Sequence, residues 1–395
     1  MFIVGIDVAK RNHEITVITS EGLTVIKPFS ISNNCSGYNR MMERIKSLTA
    51  IKSQFVFAVE STAHYWLALY TRLRKDGYSV VVLNPIQTSA MRELLIRKAK
   101  TDARDSFIIA ELIRFGRYSV SNVPQDKLIA LKELCRNRGY LMDMASDLKR
   151  KITALLDRVF PEFETQFESI FCKSALAVLR KYPSPQKLSN AHLSKLTELL
   201  WISSNGHFGE WKARELKTLA HNSFGIDDCE GAYSSLILLL LGQLQSLQDS
   251  ADALEKQIAE LFAQFDTTIT SIPGIGTLLG ATILSEIGDI SRFSSADKLA
   301  AYIGIDPSVN QSGEFTASST HMSKRGSPYL RRAIWMASTI AVQRDPMFRA
   351  YFDKKSAEGL RYMNIIGHVT KKMTAVIFAI MRDNKVYAPV IPAAA

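Results

Sequence analysis

The sequence predicts an α/β domain at the N-terminus, a helical middle with a coiled coil, and a mainly α C-terminal domain. Three observations lead there. β-rich and amphipathic helical segments alternate through the first third of the 395 residues. Apolar residues keep a faultless three–four spacing from Ile237 to Phe265. From Thr270 onward a glycine turn, further helices and one polar loop follow each other.

Phe2 to Asp7 is β-rich, His13 to Thr19 alternates as a strand does, and Leu23 to Ser30 reads as a third strand after the Glu21-Gly22 turn. Asn34 to Leu48 is amphipathic and helical. Gln54 to Val59 reads as a strand, Tyr65 to Lys75 as a helix, and Tyr78 to Leu83 as a strand that Asn84-Pro85 ends. Asp102 then opens a helix to about Phe115. Three hairpin-like strands followed by helix, strand, helix, strand and helix is the order of an RNase H-like α/β domain. Lys127 to Phe160 reads as one long helix carrying Arg136, Arg138, Lys149, Arg150, Lys151 and Arg158. Residues 161–230 read as broken helix, interrupted by Pro161, Pro183 and Pro185, with no role assigned.

Along the seam the apolar positions are Ile237, Leu240, Leu244, Leu247, Ala251, Leu254, Ile258, Leu261 and Phe265. Such spacing serves a helical hairpin inside one chain or a coiled coil between chains. About four clean heptads exceed what a small core requires, so the expectation is a homo-oligomer, dimer or tetramer, joined through residues 237–265. The last third leads through a polar loop, Pro307 to Ser327, into a helix near Pro328. After Asn384 the tail is short, apolar and expected to fray. The expected domains are therefore 1–160, 161–268 and 269–384, with 385–395 as tail.

Hydrophobic residues make up 47% and charged residues 22% of the chain, an ordinary balance for a soluble protein. Its net charge of +11 favours a polyanionic partner. A membrane surface would need a basic amphipathic helix or a lipidation signal, and neither is found. The longest uninterrupted apolar run, Leu236 to Leu241, is far too short for a bilayer. Cys35, Cys135, Cys172 and Cys229 form no short-spaced pair, which argues against a disulfide framework and for the cytoplasm.

Four acids carry the chemistry. Asp7 ends the first strand in GIDVAK, and Glu60 ends a later one in VFAVES. If those strands are neighbours, both carboxylates emerge at one sheet edge. Asp102 and Asp105, three residues apart at a helix start, project from one face. Carboxylates converging from three elements repel unless cations neutralise them. Hard oxygen donors select Mg²⁺ or Mn²⁺, and two such ions about 4 Å apart clamp a phosphodiester during in-line displacement. Taken singly, each acid also has a plainer role as a turn former, an N-cap or a partner of the helix dipole. Arg97, Lys98, Lys100 and Arg104 surround Asp102 and supply cations that position a phosphate backbone.

Downstream, SIPGIGTLLGATILSEIGD (271–289) reads as two short helices joined at Pro273-Gly274-Ile275-Gly276. Gly274 and Gly276 either let backbone N–H groups approach a phosphate, as in a helix-hairpin-helix, or pack a tight αα-corner. Ser312 precedes Gly313 in a serine-rich loop, with Lys324, Arg325, Arg331 and Arg332 following it. A loop serine is ordinarily a solvated turn residue. In phosphoryl transfer it can instead be a nucleophile assisted by arginines and metal.

GIDVAKRNHEITV, VFAVESTAHY and LNPIQTSAMRE…RKAKTDARDSFIIAELIR together resemble the DEDD-type transposase domain of a bacterial insertion-sequence family. Its members are bridge-RNA-guided serine recombinases related to the pilin-gene invertases. SIPGIGTLLGATILSEIGDISRFSSADKLAAYIGIDPSVNQSGEF…MSKRGSPYLRRAIWMAS is similar to that family's C-terminal transposase domain. The resemblance implies a Holliday-junction-resolvase-like fold in which Asp7, Glu60, Asp102 and Asp105 are the metal-holding tetrad. It implies that Ser312 is the nucleophile, with Ser308 and Ser323 as neighbouring alternatives. Double-stranded donor and target DNA and a guide (bridge) RNA are the implied partners. Whether Ser312 meets carboxylates of its own chain or of a neighbour stays open. Two other classes also stay open: a resolvase-like nuclease hydrolysing with two metals, and a non-catalytic nucleic-acid-binding protein.

Overall fold

The computed structural model describes residues 1–61, 63–94, 102–116, 118, 126–229, 231–306, 311–312, 315–316 and 322–389, with the side chains of 94, 102, 103, 311, 312, 315 and 316 outside the description. It divides into two compact units, Met1–Pro124 and Gln125–Ala395.

The first unit is built on strands β1 (Phe2–Val8), β2 (Asn12–Thr19), β3 (Thr24–Ser32), β4 (Phe55–Glu60) and β5 (Ser79–Leu83) in one mixed sheet of order β3-β2-β1-β4-β5. The β1–β2 and β2–β3 pairs are antiparallel, whereas β1–β4 and β4–β5 are parallel. Both faces are covered, so each central strand is apolar on both sides. Helices α1 (Cys35–Lys46) and α2 (Trp66–Lys75) pack on one face through Met41, Ile45, Leu69 and Leu73, against Val4, Ile6, Phe57 and Val59. Two further helices, α3 (Pro85–Leu94) and α4 (Asp102–Phe115), follow β5. On the opposite face α4 lays Ile109, Ala110 and Ile113 against Ile3, Ala58 and Val81.

The crossing of α4 over β1 is close. A Cβ on Gly5 would stand 2.1 Å from the Ser106 carbonyl oxygen and 2.7 Å from the Ala110 nitrogen, so only glycine fits under the helix. Beside that crossing the buried Thr16 and Ser106 hydroxyls share a 2.6 Å hydrogen bond.

All five strands appear where the sequence places them, within two residues at each end. α3, however, was not anticipated. The Asn84-Pro85 pair read as a strand terminator is also a helix start: the Asn84 side chain accepts from the Ile86 N–H at 2.9 Å, and proline occupies the first helical position.

The second unit is helical apart from a small hairpin. A 34-residue helix, α5 (Asp126–Val159), leads into α6 (Lys173–Lys181), α7 (Pro185–Ser189), α8 (Leu193–Ser203) and α9 (Glu210–His221), and the chain returns through α10 (Ala232–Phe262). There follow α11 (Thr277–Ile287), α12 (Ala296–Ile303), the strands β6 (Gln311–Ser312) and β7 (Phe315–Thr316), then α13 (Pro328–Arg344), α14 (Pro346–Ala357) and α15 (Tyr362–Asp383).

α5 and α10 run antiparallel, because partners rise in number on one as they fall on the other: Lys127 meets Gln264 and Arg138 meets Glu255. The heptad seam is therefore used within the chain. Ile237, Leu240, Leu244, Ala251 and Ile258 are all buried in this unit. This corrects the expected coiled coil between chains, since a three–four repeat states that a helix needs a partner without saying whose. The hairpin spans two cores. One end joins Ile152, Leu155 and Leu156 of α5 to Ile237, Leu241 and Leu244 of α10 and to α6, α8 and α9, which gives residues 161–230 a structural place. The other end joins Leu128, Leu131, Ile258 and Phe262 to α11–α15.

By compactness α5 groups with the second unit, which begins at Gln125, while the expected first domain runs on through α5 to residue 160. The tail is held through Tyr387, whose N–H donates to Ser271 Oγ at 2.9 Å and whose hydroxyl donates to Asp345 at 3.1 Å. Among the described residues no helix is long and apolar enough to cross a membrane.

Gly5→Ala is expected to lower stability by about 2 kcal/mol through overpacking against the α4 backbone, seen as a lower urea midpoint. Leu244→Ala is expected to cost about 3 kcal/mol as a core cavity while leaving the mass by light scattering unchanged.

Candidate functional site

Asp7 and Glu60 stand side by side in the sheet. The β1–β4 register pairs Ile6 with Val59, and the two acids are the next residues on these parallel strands. Strand alternation puts Asp7 on the face of Ile3 and Gly5, and Glu60 on the face of Val56 and Ala58, which is the face α4 covers. From α4 itself Asp105, 5% exposed, lies one residue before Ser106 at the glycine crossing. Three of the four predicted carboxylates thus belong to one face and one edge. Asp102 opens α4 as expected, but its side chain lies outside the described residues, as do Arg97, Lys98 and Lys100.

Two of these acids already have partners from α3. The Thr88 hydroxyl, from a residue only 1% exposed, donates to Glu60 Oε2 at 2.8 Å and also lies 2.9 Å from the Pro85 carbonyl. One turn later Arg92 directs Nε and Nη2 at Asp105 Oδ1, at 3.1 and 3.0 Å. The sequence reading passed over both residues, although the Asn84-Pro85 helix start would have placed them four apart on one helical face.

As donors, three hard carboxylates at the ends of adjacent parallel strands and on a covering helix suit Mg²⁺ or Mn²⁺. Their present arrangement is not a closed cage. Among the described residues no three acids, histidines or cysteines stand close enough to hold an ion together, and Asp105 is turned to Arg92. Donor chemistry fits a divalent cation, while the open arrangement and the Arg92 pairing depart from a closed site.

The second unit carries the other candidates. Ser312 sits on the β6–β7 hairpin, paired in register with Phe315, with its side chain outside the description; Ser308 lies outside it altogether. The neighbouring alternative, Ser323, spends its hydroxyl on Asp306 Oδ1 at 2.6 Å, which makes it a loop tie. Arg331 donates to the Ile303 carbonyl at the end of α12, and Arg332 pairs with Asp143 of α5 at 2.7 Å. Lys324 and Arg325 are exposed. Gly274 adopts φ +92°, and a Cβ there would meet the Ala337 carbonyl oxygen at 2.4 Å, so its glycine serves packing against α13. Only a single 3₁₀ turn, Ile269–Ser271, precedes it, not the first helix of a helix-hairpin-helix. Gly276 has open space around it and precedes α11.

The second unit also holds an ion cluster between α5 and α11 that joins residues far apart in sequence. Glu286 of α11 is 3% exposed and receives Arg136 Nε at 2.6 Å and Nη2 at 3.1 Å, with Lys132 at 3.4 Å. Arg136 also stacks over Tyr329, and the Tyr302 hydroxyl donates to the Glu286 carbonyl at 3.2 Å. Burial pushes the Glu286 carboxyl upward, but the Arg136 hydrogen bonds, with the charges of Lys132 and Arg136, outweigh it and hold the group below its ordinary value. This cluster fastens α5, α11, α12 and α13 to one another.

Known proteins match on both parts of the chain. Residues 4–161 match a family model of the DEDD domain of IS110 elements, described as a transposase, and residues 266–353 match one described as the transposase IS116/IS110/IS902 family. The first match ends at the tip of α5, beyond the structural boundary. The chain is 25% identical to the insertion element IS116 uncharacterized 44.8 kDa protein of Streptomyces clavuligerus, over 98% of this chain and 96% of that one. It is 23% identical to the mini-circle putative transposase for IS117 of Streptomyces coelicolor, over 99% and 98%. With the pilin gene-inverting protein of Moraxella lacunata it shares 24%, over 97% and 96%. Two transposase-family matches in order, and likeness over nearly the whole chain to a putative transposase and a pilin gene-inverting protein, define a DNA transposase or recombinase. The chain belongs to the IS110/IS116 family of insertion-sequence transposases.

A depressed carboxyl stabilises the fold above its unfolded value and loses that contribution as pH falls through its folded value. Glu286→Gln is therefore expected to cost about 2 kcal/mol near neutral pH, the low side for a buried pair because Arg136 reaches water. The difference from the parent should shrink as urea melts are taken from pH 7 down through 4.

Proposed function

We propose that the N-terminal unit, RNase H-like in strand order, binds Mg²⁺ or Mn²⁺ through Asp7, Glu60, Asp102 and Asp105 and cuts DNA strands at the ends of an insertion sequence. The observation that carries this reading is the placement of Asp7 and Glu60 on adjacent parallel strands, one residue past the paired Ile6 and Val59, on the face that brings in Asp105. Divalent ions there supply Lewis-acid polarisation of a phosphoryl oxygen. Acids gathered at one edge suit a metal-dependent phosphodiester site.

Ser312 is the nucleophile in this proposal. Its hydroxyl attacks phosphorus, a DNA 3′ or 5′ oxygen leaves, and the phosphoserine link is later resolved by a DNA hydroxyl, so each phosphodiester is conserved without an external energy source. Ser312 lies within the residues 266–353 that the C-terminal family model matches, and Arg325 and Lys324 supply exposed positive charge close to it in sequence. A structured guide RNA selects the donor and target DNA by base pairing, as the family resemblance implies, and the net charge of +11 suits two nucleic-acid partners. Such a protein works beside the chromosome in the cytoplasm, and as an assembly of several copies, because two DNA partners require at least two cutting centres.

Asp7→Asn removes metal-borne charge stabilisation worth several kcal/mol and should lower strand cleavage about a thousandfold. Ser312→Ala should abolish any protease-sensitive protein–DNA adduct on a denaturing gel. Cutting that persists at full rate without an adduct would convert the reading to hydrolysis with two metals. Undiminished recombination after complete ribonuclease digestion would remove the guide RNA from it.

A further inference from the structure

The helix missed in the sequence, α3, touches two of the proposed metal ligands with two different chemistries. Thr88 gives Glu60 a neutral hydrogen bond from a buried hydroxyl. Arg92, one turn on and 28% exposed at its side chain, gives Asp105 a full positive charge. The helix is held where it can do both. β5 pairs Leu83 directly with Glu60, Asn84 caps the helix start, and Pro85 fixes its first turn.

The two contacts have opposite consequences for a divalent ion. A hydrogen-bond donor on one carboxylate oxygen orients the group and leaves its charge for the metal. A guanidinium delivering both Nε and Nη2 to one oxygen satisfies that oxygen and neutralises the group. Asp105 Oδ1 cannot accept the Arg92 fork and bind a cation at the same point. Repulsion between carboxylates that share an edge is relieved either by metal or by this arginine.

We infer that Thr88 and Arg92 are positioning residues with opposing roles, Thr88 setting Glu60 for metal and Arg92 holding Asp105 as an internal cation that a divalent ion must displace. This rests on the metal reading of the tetrad and adds its regulation. Loading then requires Arg92 to swing away from Asp105, which puts a free guanidinium at the edge of a site whose substrate is a phosphodiester. Metal entry and phosphate capture become linked through one side chain: DNA that engages Arg92 vacates Asp105 for the ion.

The test is Mn²⁺ binding to the full-length protein, read by the loss of free-ion paramagnetic resonance signal and needing no activity. Arg92→Gln should tighten Mn²⁺ binding on the order of tenfold, the equivalent of one charge-assisted contact no longer competing. Arg92→Lys, which keeps the charge but not the fork, should fall between. Thr88→Val should weaken binding by about tenfold. A structural role alone would weaken binding in every variant, so an Arg92→Gln affinity equal to or poorer than that of the parent overturns the inference. Asp7→Asn separates the two levels. If it abolishes Mn²⁺ binding while Arg92→Gln fails to tighten it, the metal site stands and the opposing role of Arg92 falls. If parent and Asp7→Asn bind Mn²⁺ equally, the metal reading fails and this inference with it.

Discussion

The first unit depends on how closely α4 can lie on β1. Gly5 has no side chain, and the Ser106 carbonyl occupies the volume a Cβ would need. That contact sets the depth of α4 against the sheet, and depth decides where the first turn of the helix ends up. Asp105 precedes Ser106 by one residue and is carried to the edge at which β1 and β4 finish. Asp7 lies two residues beyond Gly5 on the same strand face. The constraint is steric and the consequence electrostatic: a helix pressed onto a strand delivers its acid to the acids of the sheet.

Charge of one sign cannot be gathered so without an answering cation, and α3 supplies one in Arg92. Burial sharpens the demand, because the Asp105 side chain is only 7% exposed and water screens it little. The second unit meets a similar demand differently. Glu286 is buried among Arg136 and Lys132, and there the arrangement is scaffolding: the pair ties helices 150 residues apart in sequence. One buried acid therefore faces an arginine that locks a fold, and the other an arginine at an edge where a phosphate and a metal would both compete for the partners.

Much of this was legible from the residues. Strand patterns and turn signals located all five strands, and the strand-end positions of Asp7 and Glu60 stood out because polar acids close aliphatic runs. Their adjacency was conditional, since local sequence does not say which strands pair. α3 escaped because Asn84-Pro85 both stops a strand and starts a helix, and the stop was read without the start. The seam from Ile237 to Phe265 declared a partner helix, yet the partner is α5, whose mixture of arginines and small residues hides its apolar stripe. Arg136 read only as one of several basic residues on a long helix, because its acid lies far along the chain. Local pattern reveals what a segment needs; it does not reveal which distant segment meets the need.

The α5–α10 hairpin gives the clearest case of that principle acting on architecture. Each helix is more than thirty residues long, and neither could bury its stripe alone. Paired, they form a rod whose two ends enter different cores, so residues 161–230 and the α11–α15 region are built onto opposite ends of a single antiparallel pair. A rigid rod transmits orientation where a flexible linker would lose it. The exposed Leu236 and Leu239 on the far side of α10 show that the seam, not the whole helix surface, was committed to this pairing. Assembly of several copies on DNA would then have to use surfaces other than the heptad seam, because the seam is already the spine of one chain.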